Sequence, residues 1–276
     1  LVYISNMRDH VGGLKSPPIL GFHSSVSQAM LGVNIRDGAI AGILFIIAFY
    51  HWVLFFQRRE DLASLFFGIL CADVCIRTFI MARFPVLLGL DQTLLQFEVL
   101  SKIEFMTMQG GVMGMGLFIH ALLPNPRFRQ FVRIYMLGLG ACFWLFTLIN
   151  PHMLFNDQLH LYQLHLVGAV VIVFLYLAHC AYRGETIARW VLGTFLIVGT
   201  GVINDNLYAQ RHIDTMYIAS YTFIGFVLLQ SAILSGKAAV AFRKAEHLSE
   251  NLQREVTTQT HDLNRKTLLA QEATLA

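Results

Sequence analysis

Seven apolar stretches, each long enough to cross a lipid bilayer as a helix, constrain the fold of this chain more than any other feature. A helix needs about 20 apolar residues to span the hydrocarbon core. The composition agrees, since 56% of the residues are hydrophobic and only 13% are charged. We therefore predict an all-α membrane protein, a seven-transmembrane helix bundle. The predicted spans contain 18 to 22 residues each and are Ala39–Phe56, Leu62–Ala82, Met106–Leu123, Phe131–Ile149, Leu161–Tyr182, Ile187–Tyr208 and Met216–Leu234.

The basic residues of the loops set the orientation of this bundle, because Lys and Arg accumulate in cytoplasmic loops. The opposite loops hold little beyond Arg83 and Arg211. We therefore predict that the N-terminus lies outside and the C-terminus in the cytoplasm. The basic residues of the connections after spans one, three, five and seven are Arg58, Arg59, Arg127, Arg129, Arg133, Arg183, Arg189, Lys237, Arg243 and Lys244.

The last span is followed by a long polar segment with the composition of a continuous helix. Residues 236–276 contain no proline and many good helix formers. Apolar residues recur there in steps of three, four and four, a repeat of 11 residues that favours straight or slightly right-handed helix packing. We predict a dimeric, cytoplasmic coiled coil, weakened by polar Gln259 and Thr267 in its seam; a solvated helix is the alternative. The apolar members of this stripe are Ala245, Leu248, Leu252, Val256, Leu263 and Ala270.

Three regions follow from these patterns. Residues 1–37 show a strand pattern, a Gly-Gly turn, a Pro-Pro piece and an amphipathic approach to the membrane. They are too few to bury a core alone, so we expect the remnant of an extracellular β-rich sensor domain and its linker. Residues 38–235 form the bundle and residues 236–276 the signalling helix. No signal peptide begins the chain, so we expect the sequence to be a part of a longer protein, truncated at both ends.

Ionisable residues inside the spans are the candidates for a functional site, because charges are costly in lipid and usually face the bundle interior. Asp73 and Arg77 lie one helical turn apart on one face of span two. Asn204 and Asp205 of span six lie at a depth similar to that of Arg77, in the outer half of the bundle. We therefore predict that Arg77 and Asp205 pair if spans two and six are neighbours.

The third helix adds more charges to this polar layer. We expect that helix to begin before its apolar part, because Thr93–Phe105 contains no helix breaker. Two interpretations stay open: ion pairs and hydrogen bonds that fix helix register, or an outward-facing pocket or bistable lock. The added residues are Glu98, Lys102 and Glu104.

Other kinds of site find little support in the sequence. The cysteines lie in apolar runs and are expected to be small buried residues, and His51, His120, His165 and His179 are expected to be hydrogen-bonded core residues without metal-ligand spacing. Glycines in spans three and four, among them Gly110 and Gly114, predict close helix approach. We expect no metal and no cofactor. The cysteines are Cys71, Cys75, Cys142 and Cys180.

Enzymes, retinal proteins and nucleic-acid binders are disfavoured as classes. The chain contains no HExxH, GxSxG or P-loop motif, so we expect this segment not to be an enzyme. Span seven lacks the lysine that a retinal Schiff base needs. A net charge of +3 is too small to indicate nucleic acid as a partner.

Five stretches together resemble the bacterial seven-transmembrane receptors with diverse intracellular signalling modules. They are SNMRDHVGGL at 5–14, GILFIIAFYHWVLFFQRRED at 42–61, SLFFGILCADVCIRT at 64–78, NDNLY at 204–208 and LLQSAILSGKAAVAFRKAEHLSENL at 228–252. Asn206 departs from the hydrophobic residue that usually follows ND in this family. The resemblance implies an extracellular β-sandwich sensor before the bundle and a histidine kinase or nucleotide cyclase after it. It also implies that the protein is a homodimer in the bacterial inner membrane.

These expectations define a receptor that relays a stimulus through the dimeric helix to a cytoplasmic output domain. A small molecule or carbohydrate at the outer side would be the ligand. Two alternatives remain: a transporter or channel in which the polar layer lines a permeation path, and a passive membrane anchor for the sensor domain.

Overall fold

The computed structural model describes residues 23–82, 84, 94–209, 212–215 and 218–275, and the long segments of that part are helical. The strand and turns predicted for residues 1–22 lie outside the described residues. Arg83 and Arg211 lie outside them as well.

Three long helices begin the bundle. Helix α1 comprises His23–Gln57, α2 comprises Leu62–Met81, and α3 comprises Leu94–Leu122. The start of α3 before Met106 confirms the prediction drawn from the absence of a breaker in this stretch. In the turn between α1 and α2, Asp61 Oδ2 accepts a hydrogen bond from Ser64 Oγ at 2.7 Å.

The fourth span consists of three consecutive helical segments. They are α4 (Pro126–Phe131), a π-helix (Val132–Leu139) and α5 (Gly140–Ile149). Asn125 caps the first segment, since its Oδ1 accepts hydrogen bonds from the backbone N–H groups of Arg127 at 2.9 Å and Phe128 at 3.3 Å. A π-helix is rare, and those inside α-helices are frequently found at functional sites; this span is the least regular of the described bundle.

Four further helices complete the described chain: α6 (His152–Asp157), α7 (Leu159–Tyr182), α8 (Thr186–Ala209) and α9 (Ala219–Leu275). Gly184 follows α7 with φ of 94°, the left-handed conformation in which glycine is least strained. This turn connects α7 directly to α8.

The helices coincide with the seven predicted spans. Within the described residues, six stretches are long and apolar enough to cross a membrane by length and composition. The seventh, in α8, contains the shorter apolar helix Thr186–Gly201 within the described residues. The six longer stretches are Asn34–Gln57, Leu62–Met81, Gln96–Leu122, Pro126–Ile149, Leu159–Tyr182 and Tyr221–Thr260.

Among the described helices, α3 contacts the largest number of other elements, including α2, α5 and α7. Small residues allow this proximity, as predicted: a Cβ on Gly114 would lie in ordinary contact with Leu70, at 3.5 Å. Phe105, Phe155 and Tyr162 form a buried aromatic cluster beside the middle of α3. Large side chains on other faces, such as Ile46 and Ile149, are exposed, as expected of helices surrounded by lipid.

Two compact units are distinguished along the chain, one ending at Ser231 and one comprising Ala232–Ala276. The second unit contains the C-terminal part of α9. Its stripe residues Leu248, Leu252, Val256 and Leu263 are exposed in the single chain. The side chain of Ala270 lies outside the described residues.

Candidate functional site

Arg77, which was predicted to pair with a carboxylate, contacts a backbone carbonyl. Its Nη1 donates a hydrogen bond to the carbonyl oxygen of Glu104 in α3 at 3.0 Å. Thr107 Oγ1 donates to the same oxygen at 2.9 Å. Among the described residues Arg77 has no ion pair, so Asp73 and Arg77 share a helix face without a direct contact. Arg77 therefore joins α2 to α3, and Glu104 takes part through its backbone.

Glu98 and Lys102, which were predicted as members of the polar layer, form an ion pair with each other. Lys102 Nζ lies 3.3 Å from Glu98 Oε1, one turn earlier on α3. Lys102 Nζ also donates to the carbonyl oxygen of Leu148 at 3.1 Å, close to the end of α5. The last carbonyls of a helix have no partner within the helix, so Lys102 satisfies one of them and joins span three to span four.

Asp73 enters a gap that a glycine leaves open. A Cβ on Gly110 of α3 would overlap Asp73 Oδ1, whereas a Cβ on Gly111 would lie 3.5 Å from Oδ2, an ordinary contact. Asp73 Oδ2 is buried and has no hydrogen-bond partner among the described groups. A buried carboxylate oxygen without a partner is costly, which makes Asp73 the least satisfied member of the polar layer.

Of Asn204 and Asp205, the structure describes the side chain of Asn204. Asn204 Oδ1 accepts a hydrogen bond from Thr215 Oγ1 at 3.0 Å, which ties the end of α8 to the loop before the last span. The side chain of Asp205 lies outside the described residues. The coupling of Arg77 to Asp205 therefore stays a prediction.

Helices α1, α2, α8 and α9 enclose an interhelical cleft of about 370 Å³. Ligand pockets for small molecules have volumes of about 300–1,000 Å³. The charged groups of the cleft are Arg77 and an Arg36–Asp37 ion pair with an Nη2–Oδ1 distance of 2.7 Å. The remaining lining is mainly apolar, so the cleft suits a small amphipathic molecule. Its residues are Arg36, Asp37, Ile40, Leu44, Val74, Arg77, Thr78, Met81, Ala82, Val198 and Phe223.

A buried hydrogen-bond network joins spans three, four and five, and sequence reasoning did not identify it. His165 of α7 has Nδ1 2.6 Å from Gln109 Oε1 and Nε2 3.0 Å from the carbonyl oxygen of Tyr135. Tyr135 lies in the π-helix, and its hydroxyl donates to the His165 carbonyl at 3.4 Å. Gln109 Nε2 donates to the carbonyl oxygen of Tyr162 at 3.4 Å. The irregular segment of span four therefore faces the polar centre of the bundle.

The protonation of this network is constrained by its geometry. A neutral imidazole donates from one nitrogen only, whereas both nitrogens of His165 face oxygen atoms. Either the ring is an imidazolium, or the Gln109 amide turns to present Nε2 to Nδ1. The two arrangements differ in charge at the centre of the bundle.

The last span has its own polar contacts, at Gln230 and Ser231. Gln230 Nε2 donates to Thr194 Oγ1 of α8 at 2.5 Å. Ser231 Oγ lies 3.0 Å from His51 Nε2 of α1. Both Gln230 and His51 are fully buried, so α9 is held to span six and span one by neighbouring residues.

The prediction of core histidines is confirmed for two of four positions. His51 and His165 are buried and hydrogen-bonded. His179 is exposed at the end of α7, and the prediction for it was wrong. His120 is half-buried and its Nδ1 has no hydrogen-bond partner among the described groups. A simple signal could have found the rest of both networks, namely Gln109, Thr194 and Gln230 as polar residues within apolar stretches.

A metal or covalent site finds no framework in the described part of the chain. No three His, Cys, Asp or Glu side chains there are placed to hold a metal ion. All four cysteines are free thiols; Cys71 and Cys180 are buried as expected, Cys75 is half-buried, and Cys142 is exposed. The chemistry of these sites is therefore that of hydrogen bonds and charges.

The fold and these contacts define a seven-span helical membrane protein whose last span continues into a long polar helix. The family model described as 7TM diverse intracellular signalling matches residues 34–237. The match covers more than half of the chain and all seven spans, and the chain belongs to this family of transmembrane signalling receptors. No curated protein and no solved structure matches the chain.

Proposed function

We propose that this chain is the transmembrane core of a homodimeric receptor that relays a stimulus through its C-terminal helix to a cytoplasmic output domain. The output domain would be a histidine kinase or a nucleotide cyclase, and the segment itself would have no catalytic role. Family membership supports signalling as the task. The observation that carries the relay is the continuity of α9 from Ala219 to Leu275, which gives the last span and the polar segment one helical backbone.

The contacts of Gln230 and Ser231 are the means by which the bundle would act on this helix. They bind α9 to α8 and α1 through two neighbouring residues. A change in the relative position of these spans would displace or rotate α9, as helix shifts do in other switching proteins. A stimulus that favours one arrangement of the spans would then change the helix beyond them.

Dimerisation would occur along the stripe of the polar helix. Leu248, Leu252, Val256 and Leu263 are exposed in the single chain, with Leu252 54% exposed and Leu263 64%. Apolar residues that recur on one face of a polar helix are typical of a seam that a second helix covers. The other copy of the chain is the simplest partner for a seam in a family of receptors.

The interhelical cleft is the part of the bundle best suited to receive a ligand. The cleft is lined by α1, α2, α8 and α9. Two of these helices, α8 and α1, are the ones that Gln230 and Ser231 of α9 contact. A small molecule or carbohydrate bound there would favour one spacing of these helices. A sensor domain before the bundle could act on the same spans from the outer side.

Placement in the bacterial inner membrane, with the C-terminus in the cytoplasm, is supported by the basic loops. A cysteine replacing Ser249 should resist an impermeant thiol reagent in intact cells, whereas one replacing Ser24 should react. Labelling at position 249 would contradict this orientation.

Disulfide cross-linking in membranes tests the dimer. In a chain whose native cysteines are replaced, Leu252→Cys should cross-link two copies, because position 252 lies on the stripe. Glu250→Cys is the matched control on the opposite face of the helix and should cross-link weakly. Equal cross-linking at both positions would contradict the seam, and a water path through a monomer would favour the transporter instead.

A further inference from the structure

A second cleft lies where α3 ends and α4 begins, at the opposite end of α3 from Glu98 and Lys102. This loop cleft has a volume of about 640 Å³. It lies at the end of the bundle that holds the basic connection between spans three and four. Its lining residues are His120, Pro124, Asn125, Pro126, Arg129, Gln130 and Arg133.

The loop cleft is cationic and contains no lining carboxylate. Arg129 and Arg133 are exposed, and in the described part of the chain neither has an ion-pair partner. Their guanidinium groups supply planar donors that match phosphate oxygens. Gln130 and Asn125 add amide groups to the same lining.

The shape of the cleft is fixed by contacts from a third helix. Tyr176 of α7 donates its hydroxyl hydrogen to the carbonyl oxygen of Leu123 at 2.7 Å. Its ring stacks on Phe128 with a centroid distance of 3.9 Å and an interplanar angle of 4°. Asn125 closes the start of α4 by accepting two backbone hydrogen bonds. Arg129 in α4 and Arg133 in the π-helix therefore project from helical segments whose start is held by these contacts.

The lipid-facing surface begins next to the cleft. Ile134 follows Arg133 directly and is 61% exposed, and Leu139 is exposed further along the same span. A charged pocket beside an exposed apolar helix lies at the level of lipid headgroups. Basic pockets between membrane helices bind the headgroups of anionic lipids.

We propose that the loop cleft binds a phosphate group, supplied by the headgroup of an anionic membrane lipid. Phosphate is the chemistry that two unpaired arginines recognise, and the adjoining apolar face accounts for the acyl chains. A soluble phosphate compound could offer the same group, and the experiment must distinguish the two sources. A rival explanation is that these arginines only orient the bundle in the membrane, in which case their position in a cleft has no importance.

The test is native mass spectrometry of the whole chain with phosphatidylglycerol or, as the zwitterionic reference, phosphatidylcholine of the same acyl length. Arg129→Gln with Arg133→Gln should weaken phosphatidylglycerol binding roughly 30-fold, if each arginine that contacts the bound headgroup contributes about the factor of five of a basic residue at an anionic surface. The matched control removes two exposed arginines that lie outside the cleft, Arg58→Gln with Arg127→Gln. It should bind like the original chain.

Further arms keep the outcome decisive. Thermal unfolding checks that each variant is folded. If the glutamine variant fails to fold, Arg129→Lys with Arg133→Lys keeps both charges. This lysine variant should bind the lipid more weakly than the original chain, because lysine lacks the planar guanidinium fork. Inorganic phosphate that binds the original chain more tightly than phosphatidylglycerol does, with this binding lost in the glutamine variant, would retain the phosphate site and overturn the lipid as its occupant. Equal weakening by the cleft and control variants, or none in either, would overturn the proposal.

Discussion

The buried side chain of Gln230 allows a sharp test of how the last span is held. Its Nε2 donates to Thr194 Oγ1, while its Oε1 is buried and accepts no hydrogen bond from a described group. Thr194 Oγ1 also donates to the Val191 carbonyl at 2.8 Å, so it keeps a partner when Gln230 is replaced. The change Gln230→Met removes both the hydrogen bond and the unsatisfied carbonyl at similar side-chain volume.

The two effects oppose each other. An interhelical hydrogen bond in a membrane protein contributes about 0.6 kcal/mol, and up to about 1.7 kcal/mol. A buried polar group without a partner costs about 1–3 kcal/mol. The methionine variant should therefore lie between about 1 kcal/mol less stable and about 2 kcal/mol more stable than the original chain.

Reversible unfolding of the whole chain in detergent, followed by circular dichroism, measures this difference. The comparison variant is Gln230→Ala, which leaves a cavity in a fully buried site and should be about 2–5 kcal/mol less stable than the methionine variant. The reasoning is refuted if methionine costs as much as alanine, because the amide would then be satisfied on both sides and essential to the packing.

Three further predictions concern the polar layer and the stripe. Arg77→Met or Asp205→Asn alone should lower the free energy of unfolding by about 3–5 kcal/mol if the two residues form a buried pair. Arg77→Met with Asp205→Leu should recover part of that loss, and additive effects in the same unfolding assay would show that the residues do not meet. Gly111→Ala should stabilise α3 by up to about 1 kcal/mol, whereas Gly110→Ala should not, because its methyl group would meet Asp73. Adding Asp73→Ala to Gly110→Ala should restore the gain. Equal effects of the two single alanine substitutions would contradict the placement of Asp73. Leu248→Asp with Leu252→Asp should reduce disulfide cross-linking through Val256→Cys to background, because like charges would oppose each other in the seam; unchanged cross-linking would place the dimer contact elsewhere.

The helices of this chain were predictable because the membrane imposes one rule on every span. Backbone groups in lipid must be hydrogen-bonded internally, so an apolar stretch of sufficient length is a helix whatever its neighbours. Gly110 and Gly114 were identified as points of close approach for a similarly local reason. The π-helix around Tyr135 was not predicted, since its apolar sequence is no different from that of a regular helix.

The site was predictable only as a set of residues. Asp73, Arg77 and Lys102 were selected because charge is costly in lipid. The partner that offsets this cost is whichever polar group lies nearest in the fold. Arg77 and Lys102 both contact backbone carbonyls of other helices, and a sequence does not indicate which carbonyls those are. His165 and Gln109 were missed as a pair because they are far apart in sequence and meet only when α3 and α7 pack.

The relay itself is tested most directly by asking whether a change in the interhelical cleft reaches the stripe. Val74→Trp places a large side chain in the cleft from α2, and Ile69→Trp places the same side chain on an exposed, lipid-facing position of that helix. Disulfide cross-linking is then compared at cysteines introduced one at a time from position 245 to position 263 in membranes. A receptor core predicts that the positions of strongest cross-linking shift in the Val74→Trp chain and stay unchanged in the Ile69→Trp chain. The same profile in the original chain and in both folded variants would contradict the relay and favour a passive membrane anchor.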